Sequence, residues 1–370
     1  GDYWGMGFVS CDVDGYSTGS SFAGDHVANM ANPDLQDRFF AYCEGLLAES
    51  AKRGLGTLRV PVTMLGSWVD AEHGFDAWTQ ARFRAETGAE KPEGEAWLKW
   101  RAQEVTKYFT RLVQWAKRVA PQMEVRLILP SGKGTTCADR GLDLAALAAV
   151  PGATVGLERG YTQCWWDMYR NGSGAEKTAA AKAAAVAQAR LDYTALYDEN
   201  LPALAAIRAS GKPVAECASD AAYFETFRDS LLPETYASYF QSLDVKPWGR
   251  NFLREPAFMV GMLDTLRYTV GNQPLGTLGH EEETREFVRA YSALPAVPFA
   301  DSASDAPGVA GRSLVTAEGT YFYLVNMTDS NRVIRVVGPD LGELPAVEDL
   351  STGETTYGRY LKRYRESPDQ

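Results

Sequence analysis

Two kinds of hydrophobic pattern alternate along most of the chain. Short apolar runs predict buried strands near residues 5–13, 57–69, 124–130, 153–160, 213–217 and 273–279. Stretches with apolar residues every three or four positions predict helices over residues 32–53, 76–89, 92–120, 142–149, 175–209, 233–243, 256–270 and 281–293. Such alternation is typical of a parallel sheet with helical crossovers, so it predicts a (β/α) barrel or a doubly wound sheet.

The pattern changes near residue 298. Pro295 and Pro298 interrupt the helical periodicity, and from Arg312 onwards short runs alternate apolar and polar residues. They predict antiparallel strands at 313–316, 320–326, 332–337 and 346–350, with turn signals at 329–331 and 352–354. We therefore expect an α/β fold in which a (β/α)8 TIM-type barrel over residues 1–298 precedes a small antiparallel β-sandwich over residues 299–370.

A complete barrel has eight strands, and the pattern predicts six. If the run at 273–279 is the eighth strand, the run that ends near Glu216 is the seventh and the run at 5–13 is the third. The first two strands would then precede residue 1, on a removed or separate segment that completes the barrel. The other interpretation is that two short strands within the chain escape the pattern.

Composition and charge argue against several classes of partner. The net charge is −11 and Lys and Arg form no cluster, which argues against binding to nucleic acid or anionic membranes. No apolar run reaches the roughly 18 residues of a transmembrane helix. Five scattered cysteines predict free thiols, and three histidines predict no metal site. No G-x-G-x-x-G motif follows the first strand, so we expect no cofactor.

The clearest candidate for chemistry is the stretch from Gly211 to Phe227. Gly211 and Pro213 predict a turn, and a short apolar run then ends at Glu216, followed by small and aromatic residues. A carboxylate at the end of a barrel strand lies at the mouth where active sites are built. Glu216 is therefore a candidate nucleophile, and the alternative is a buried strand with a chance Glu at its edge.

Other acidic residues also stand at predicted strand ends. Asp70 and Glu72 follow one predicted strand and Glu158 ends another, so these acids are further candidate catalytic residues. The alternatives are a solvated acidic loop for the first pair and an ion pair with Arg159 for Glu158. Asp12, near the end of the first predicted strand, is a candidate binding residue.

Four segments resemble one clan of glycoside hydrolases, whose large barrel carries a C-terminal β-sandwich. They are Asn32-Pro33 at the start of a helix, Trp68–Phe75 after a strand, Pro213–Glu216, and Ala293–Phe299 leading into Tyr321–Asn326. In that clan the acid/base follows the fourth strand and the nucleophile ends the seventh. The resemblance implies Glu216 as nucleophile and Glu72 or Asp70 as acid/base, with Ala71 where the clan usually has Asn.

The resemblance also implies a function. We expect a retaining glycoside hydrolase that acts on a β-linked glycoside or polysaccharide, and a secreted or periplasmic location fits that function, with the cytoplasm as the alternative. The rival function is a non-catalytic carbohydrate-binding barrel, or a subunit completed by a partner segment. Candidate substrate-binding residues have side chains that stack on sugars or donate and accept hydrogen bonds, and most of them stand at or after predicted strand ends: Asp12, Trp68, Arg159, Tyr161, Trp165, Trp166, Tyr223, Arg254 and His280.

Overall fold

The computed structural model describes residues 29, 31–62, 75–130, 141–158, 193–219, 260–261, 263–270, 281–302, 309–326, 347–350 and 352–356. The helices within these ranges are α1 (Pro33–Lys52), α2 (Ala77–Thr87), α3 (Gly94–Val119), α4 (Leu144–Ala148), α5 (Tyr193–Ala209) and α6 (Glu281–Ser292). The strands are β1 (Thr57–Pro61), β2 (Glu124–Pro130), β3 (Ala153–Glu158), β4 (Val214–Ser219), β5 (Tyr268–Val270), β6 (Ala300–Ser302), β7 (Val309–Val315), β8 (Thr320–Asn326), β9 (Val347–Asp349) and β10 (Glu354–Thr356).

The first five strands form one sheet. Hydrogen-bonded neighbours follow the order of the chain, β1-β2-β3-β4-β5. The pairs β1 with β2, β2 with β3, and β4 with β5 are parallel. Strands β1 to β4 confirm the predicted runs at 57–69, 124–130, 153–160 and 213–217 within the described residues, and helices lie between them in the chain. The prediction of an α/β fold with a parallel sheet is confirmed.

The chain divides into two compact units. The first comprises residues up to Cys164 together with Thr194–Ala215, and the second comprises Trp165–Tyr193 together with Glu216–Gln370. The division falls within β4. The predicted boundary between a barrel and a sandwich at residues 298 and 299 stays a prediction.

Helix α1 shows how local sequence sets the limits of an element in the first unit. The side-chain oxygen of Asn32 accepts hydrogen bonds from the backbone N–H groups of Asp34 and Leu35, so Asn32 caps the helix as predicted. Pro33 at the first helical position has no N–H that needs a partner. The chain leaves the helix at Gly54, whose φ of +83° is easily adopted only by glycine.

Aromatic side chains of α3 form much of the core between the helices. Trp97 stacks on Trp100 with 5.4 Å between ring centroids, and Phe83 of α2 meets both rings edge-on. Further along α3, Trp115 stacks on Phe40 of α1 at 5.1 Å. All five side chains are buried. The tryptophans of α3 therefore belong to the core of the first unit.

The three strands β1 to β3 present two faces of different chemistry. One face carries only hydrophobic residues: Leu58, Val60, Val125, Leu127, Leu129, Ala153, Val155 and Leu157. On the other face, the residues nearest the amino ends of the strands are polar, and we call this side the polar face. These residues are Thr57, Arg59, Glu124, Arg126 and Thr154. Alternate residues of a strand point to opposite faces, and the register aligns each set across the strands. Helices α3 and α4 pack against β2, and the hydrophobic face is the one suited to be covered by them.

Glu124 links the three strands across the polar face. Arg126 donates to both carboxylate oxygens of Glu124, with N–O distances of 3.2 and 2.6 Å. The hydroxyl groups of Thr154 and Thr57 also donate to Glu124, at 2.6 and 3.3 Å. Arg126 is only 3% exposed, so its charge needs a partner within the protein. One carboxylate therefore satisfies donors from three adjacent strands.

In the second unit, a sharp turn at Asp264 separates helical residues from β5. Residues 260, 261 and 263 are helical, and Asp264 then adopts a left-handed φ of +47°. Its backbone N–H still donates to the carbonyl oxygen of Val260 at 3.2 Å. Strand β5 follows within four residues. The predicted helix over 256–270 is therefore wrong beyond residue 263, because the chain turns there and its β-branched and aromatic residues pair with β4.

Contacts from distant residues hold this turn. The carboxylate of Asp264 accepts hydrogen bonds from the backbone N–H of Phe299 at 2.9 Å and from the hydroxyl of Tyr323 at 2.8 Å. The guanidinium of Arg312 donates to the carbonyl oxygen of Gly261 at 3.3 Å. Because the last carbonyls of a helix lack partners within it, the cation of β7 both satisfies and stabilises the helix end.

The C-terminal strands form two antiparallel sheets, β6-β7-β8 and β9-β10. Strands β7, β8 and β9 confirm the predicted strands near 313–316, 320–326 and 346–350, and α6 confirms the predicted helix at 281–293. The prediction missed β6 and β10, which are three residues long and depend on their pairing partners. The predicted strands at 5–13, 273–279 and 332–337 and the predicted helix at 233–243 lie outside the described residues.

Replacing Glu124 with Gln should lower the free energy of unfolding by about 1–3 kcal/mol, because the buried Arg126 loses its charged partner. The Glu124 side chain is 25% exposed, and water there moderates the loss. Equilibrium unfolding in urea measures the change. As a control, Glu49→Gln breaks an exposed ion pair with Arg53 and should cost less than about 0.5 kcal/mol. Equal losses in the two variants would contradict the role of Glu124.

The stability of the protein should depend on pH through Asp264. Burial raises the pKa of Asp264 above its usual range, although hydrogen bonds from Tyr323 and Phe299 oppose that change. The folded state therefore keeps the proton to a higher pH than the unfolded chain, in which Asp has a pKa of about 3.9. The contribution of Asp264 to stability is greatest below that pH and falls as the pH rises through the raised pKa.

The variant Asp264→Asn removes this titration while keeping the size of the side chain. The free energy of unfolding of the parent minus that of the variant should decline as the pH rises from about 3.5 towards neutral pH. Urea unfolding at closely spaced pH values measures the difference. A difference that stays constant over this range would show that Asp264 has the same pKa in the folded and unfolded states.

Candidate functional site

A short turn leads the chain into β4 and positions Glu216. Helix α5 ends at Ala209, and Gly211 then adopts a left-handed φ of +72°. The Nζ of Lys212 donates to the carbonyl oxygen of Val150 at 2.8 Å, which ties this turn to the loop before β3. Burial lowers the pKa of the Lys212 amine below its usual range. The turn predicted at Gly211 is confirmed.

Glu216 lies within β4, where it is 2% exposed. The prediction ended this strand at residue 217, but β4 continues to Ser219 and three of its residues follow Glu216. Ala215 and Cys217, which alternate with Glu216 along the strand, are also buried. The strand is therefore covered on both faces, as strands of parallel sheets usually are. A carboxylate in such a place must be hydrogen-bonded to be tolerated.

The residues that follow Glu216 pair with β5 in the second unit. Cys217 aligns with Tyr268 in the parallel register. The ring of Tyr268 packs edge-on against Phe287 of α6, and Phe287 stacks on Tyr291 with 5.7 Å between ring centroids. The aromatic side chains of α6 therefore support β5, and β5 supports the part of β4 that carries Glu216.

Two other carboxylates with buried side chains lie in the described part of the chain, and both have structural roles. Asp76 caps the start of α2, and burial raises its pKa although hydrogen bonds from Thr79 oppose the change. Glu104 on α3 forms ion pairs with Arg82 at 2.7 Å and Lys107 at 2.6 Å. Neither residue is a candidate from the sequence, although Asp76 stands at the start of a predicted helix. Glu216 differs from both because it lies on a strand.

Glu158 is the last residue of β3, as the prediction placed it, and it aligns in register with Pro130 at the end of β2. Functional groups of parallel sheets are usually found at the carboxyl ends of their strands. The remaining predicted site residues lie outside the described residues: Asp12, Trp68, Asp70, Glu72, Arg159, Tyr161, Trp165, Trp166, Tyr223, Arg254 and His280. Their assignments stay predictions.

Within the described residues, no three His, Cys, Asp or Glu residues lie close enough together to hold a metal ion. Of the helices described, none combines the length and the apolar character needed to cross a membrane. Cys43 and Cys217 form no disulfide bond.

Comparison of the chain with known protein families, with curated proteins and with solved structures finds no match. Among the described carboxylates that the sequence marks as candidates, Glu216 is buried on β4 and Glu158 is the last residue of β3.

Replacing Gly211 with Ala should lower the free energy of unfolding by about 1 kcal/mol or more, because a side chain is strained at a φ of +72°. Gly45 is the matched control, since it lies inside α1 and an added Cβ meets no atom within 4 Å. Gly45→Ala should raise stability by about 0.5–1 kcal/mol. Urea unfolding of both variants measures the two changes. A Gly211→Ala variant as stable as the parent would contradict the geometry of this turn.

Proposed function

We propose that the chain is a retaining glycoside hydrolase whose nucleophile is Glu216. The observation that carries this proposal is the burial of Glu216 within a strand of a parallel sheet, at 2% exposure. Asp76 and Glu104 belong to helices, Asp76 as a cap and Glu104 within α3, whereas Glu216 lies on a strand of the parallel sheet. The resemblance to the glycoside hydrolase clan supports the same residue, since the nucleophile of that clan lies at the seventh strand of its barrel.

Two features of the parallel sheet favour a barrel over a doubly wound sheet. Hydrogen-bonded neighbours follow chain order from β1 to β5, whereas a doubly wound sheet changes direction at a switch point. The polar face of β1 to β3 also favours a barrel, because helices cover both faces of a doubly wound sheet and its strands are apolar throughout. We infer that these strands belong to a (β/α)8 barrel and that the antiparallel sheets belong to a β-sandwich after it.

The proposed reaction has two steps at the anomeric carbon of the sugar. In the first, a carboxylate oxygen of Glu216 attacks this carbon while a carboxylic acid protonates the glycosidic oxygen. The bond to the leaving group breaks and a glycosyl ester of Glu216 forms. In the second, water attacks the same carbon and gives its proton to the acid/base, and the ester bond breaks. Two inversions retain the configuration of the sugar.

The acid/base must lie about 5–5.5 Å from the nucleophile in a retaining enzyme. The resemblance favours Glu72 or Asp70 for this role, and the position of Glu158 at the end of β3 makes it the alternative. The two carboxyl groups need opposite environments. The acid needs shielding that raises its pKa, and the nucleophile needs hydrogen-bond donors that keep it ionised.

Replacing Glu216 with Gln should lower kcat on an aryl β-glycoside by about a thousandfold or more, because the amide cannot form the glycosyl ester. A panel of aryl β-glycosides identifies a substrate that the parent cleaves, and circular dichroism checks that the variant folds. Glu318→Gln, at an exposed position between β7 and β8, is the control and should keep the parent rate. A Glu216→Gln variant with parent activity would rule out the proposed nucleophile.

Azide distinguishes the nucleophile from the acid/base, because it can replace a missing carboxylate and gives a different product in each case. With Glu216→Ala, azide should attack the β-glycoside directly and give the α-glycosyl azide. With Ala in place of the acid/base, azide should intercept the glycosyl ester and give the β-glycosyl azide. Separate Ala variants of Glu72, Asp70 and Glu158 therefore identify that residue. If the parent binds oligosaccharides and cleaves no glycoside, the chain is a carbohydrate-binding barrel instead.

A further inference from the structure

A row of exposed residues runs along the outer side of α1. Its members follow one another at spacings of three or four positions, so they lie on one side of the helix: Asp34, Arg38, Tyr42, Leu46, Glu49 and Arg53. We call this the α1 row. The inner side of the same helix is already occupied, because Phe40 and Leu47 are buried there.

The centre of the α1 row is apolar. Tyr42 is 88% exposed and Leu46 is 72% exposed, and Phe39, three positions before Tyr42 on the helix, is 39% exposed. Single exposed hydrophobic residues are common, but these three occupy neighbouring positions on one helix. Clustered apolar residues rimmed by charges are typical of a surface that binds another protein.

The charges of the α1 row are complementary to those of a second copy. When two copies of α1 lie antiparallel about a two-fold axis between positions 43 and 44, Arg38 of one copy faces Glu49 of the second copy. Asp34 then faces Arg53 of the second copy. Symmetry repeats both pairs, so four contacts between opposite charges surround the centre.

The same two-fold axis determines which residue of the second copy the apolar centre of the α1 row faces. It places Tyr42 opposite Gly45 of the second copy. A Cβ added at Gly45 would meet no atom within 4 Å, so the space above this glycine is open. A glycine at that position lets the two helices approach closely and gives the exposed tyrosine ring a surface to pack on.

We propose that α1 docks against α1 of a second copy of this chain, antiparallel and with two-fold symmetry. Within one copy, Arg53 and Glu49 are already paired at 3.0 Å, but both side chains are largely exposed and such a pair contributes little. Exchanging it for pairs between copies therefore costs little. Because two helices bury less than the roughly 1,600 Å² of a standard interface, the dimer is weak and reversible, with a Kd on the order of 10–100 μM.

Sedimentation equilibrium of the full chain, at concentrations from about 5 to 500 μM, tests this proposal against the expected Kd. The parent should show a reversible equilibrium between monomer and dimer. Tyr42→Asp should weaken self-association by about tenfold or more, because it places a charge at the apolar centre. Glu44→Arg changes an exposed charge on α1 outside the row and should leave the Kd unchanged.

Charge reversal tests the antiparallel register. Arg38→Glu sets two acids against each other and should weaken the dimer by about tenfold, and Glu49→Arg should do the same. The double variant restores opposite charges and should return the Kd to within about threefold of the parent. Circular dichroism checks that each variant keeps its helix content. A parent that stays monomeric, including one whose α1 row is covered by another protein segment, would overturn the proposal. A double variant as weak as the single variants would also overturn it.

Discussion

The parallel register of β1, β2 and β3 decides which side chains share a surface in the first unit. Because the three strands are aligned residue by residue, one face carries only hydrophobic residues and the polar residues Thr57, Glu124 and Thr154 meet on the other. The hydrophobic face gives helices α3 and α4 a surface on which to pack, and the polar face gives the buried Arg126 its counter-charge. A shift of any strand by one residue would exchange the faces and lose both arrangements.

In the second unit, β4 depends on residues that are distant from it in the sequence. Asp264 ends a helix because Tyr323 and Phe299 donate to its carboxylate, and Arg312 satisfies a carbonyl of that helix. The turn allows β5 to begin four residues later and to pair with β4. The antiparallel strands therefore support, through β5, the strand that carries Glu216.

The sequence predicted the limits of those elements that begin and end at signals within their own residues or next to them. Asn32 and Pro33 mark the start of α1, and the apolar run of β2 was predicted to the residue. The prediction failed beyond residue 263, because donors remote in sequence stop the helix at Asp264 and pairing with β4 makes a strand of three residues. For the candidate site, the sequence identified the turn at Gly211 and the strand that carries Glu216. Which acid lies near Glu216 depends on how separate strand ends converge, and no local pattern contains that information.

Glu124 and Glu216 occupy different places in the sheet, and the proposed role of Glu216 fits that difference. Glu124 is the first residue of its strand, and its oxygens accept from three adjacent strands, so it serves structure at the amino ends of the sheet. Glu216 lies inside β4, and the backbone pairing of β4 with β5 limits its movement. A nucleophile gains from such restriction, because its oxygen must be held in line with the carbon that it attacks. An acid/base only has to reach a proton, which a residue in a loop after a strand can do. This difference in geometric demand is a physical reason to seek the nucleophile on β4 and its partner at another strand end.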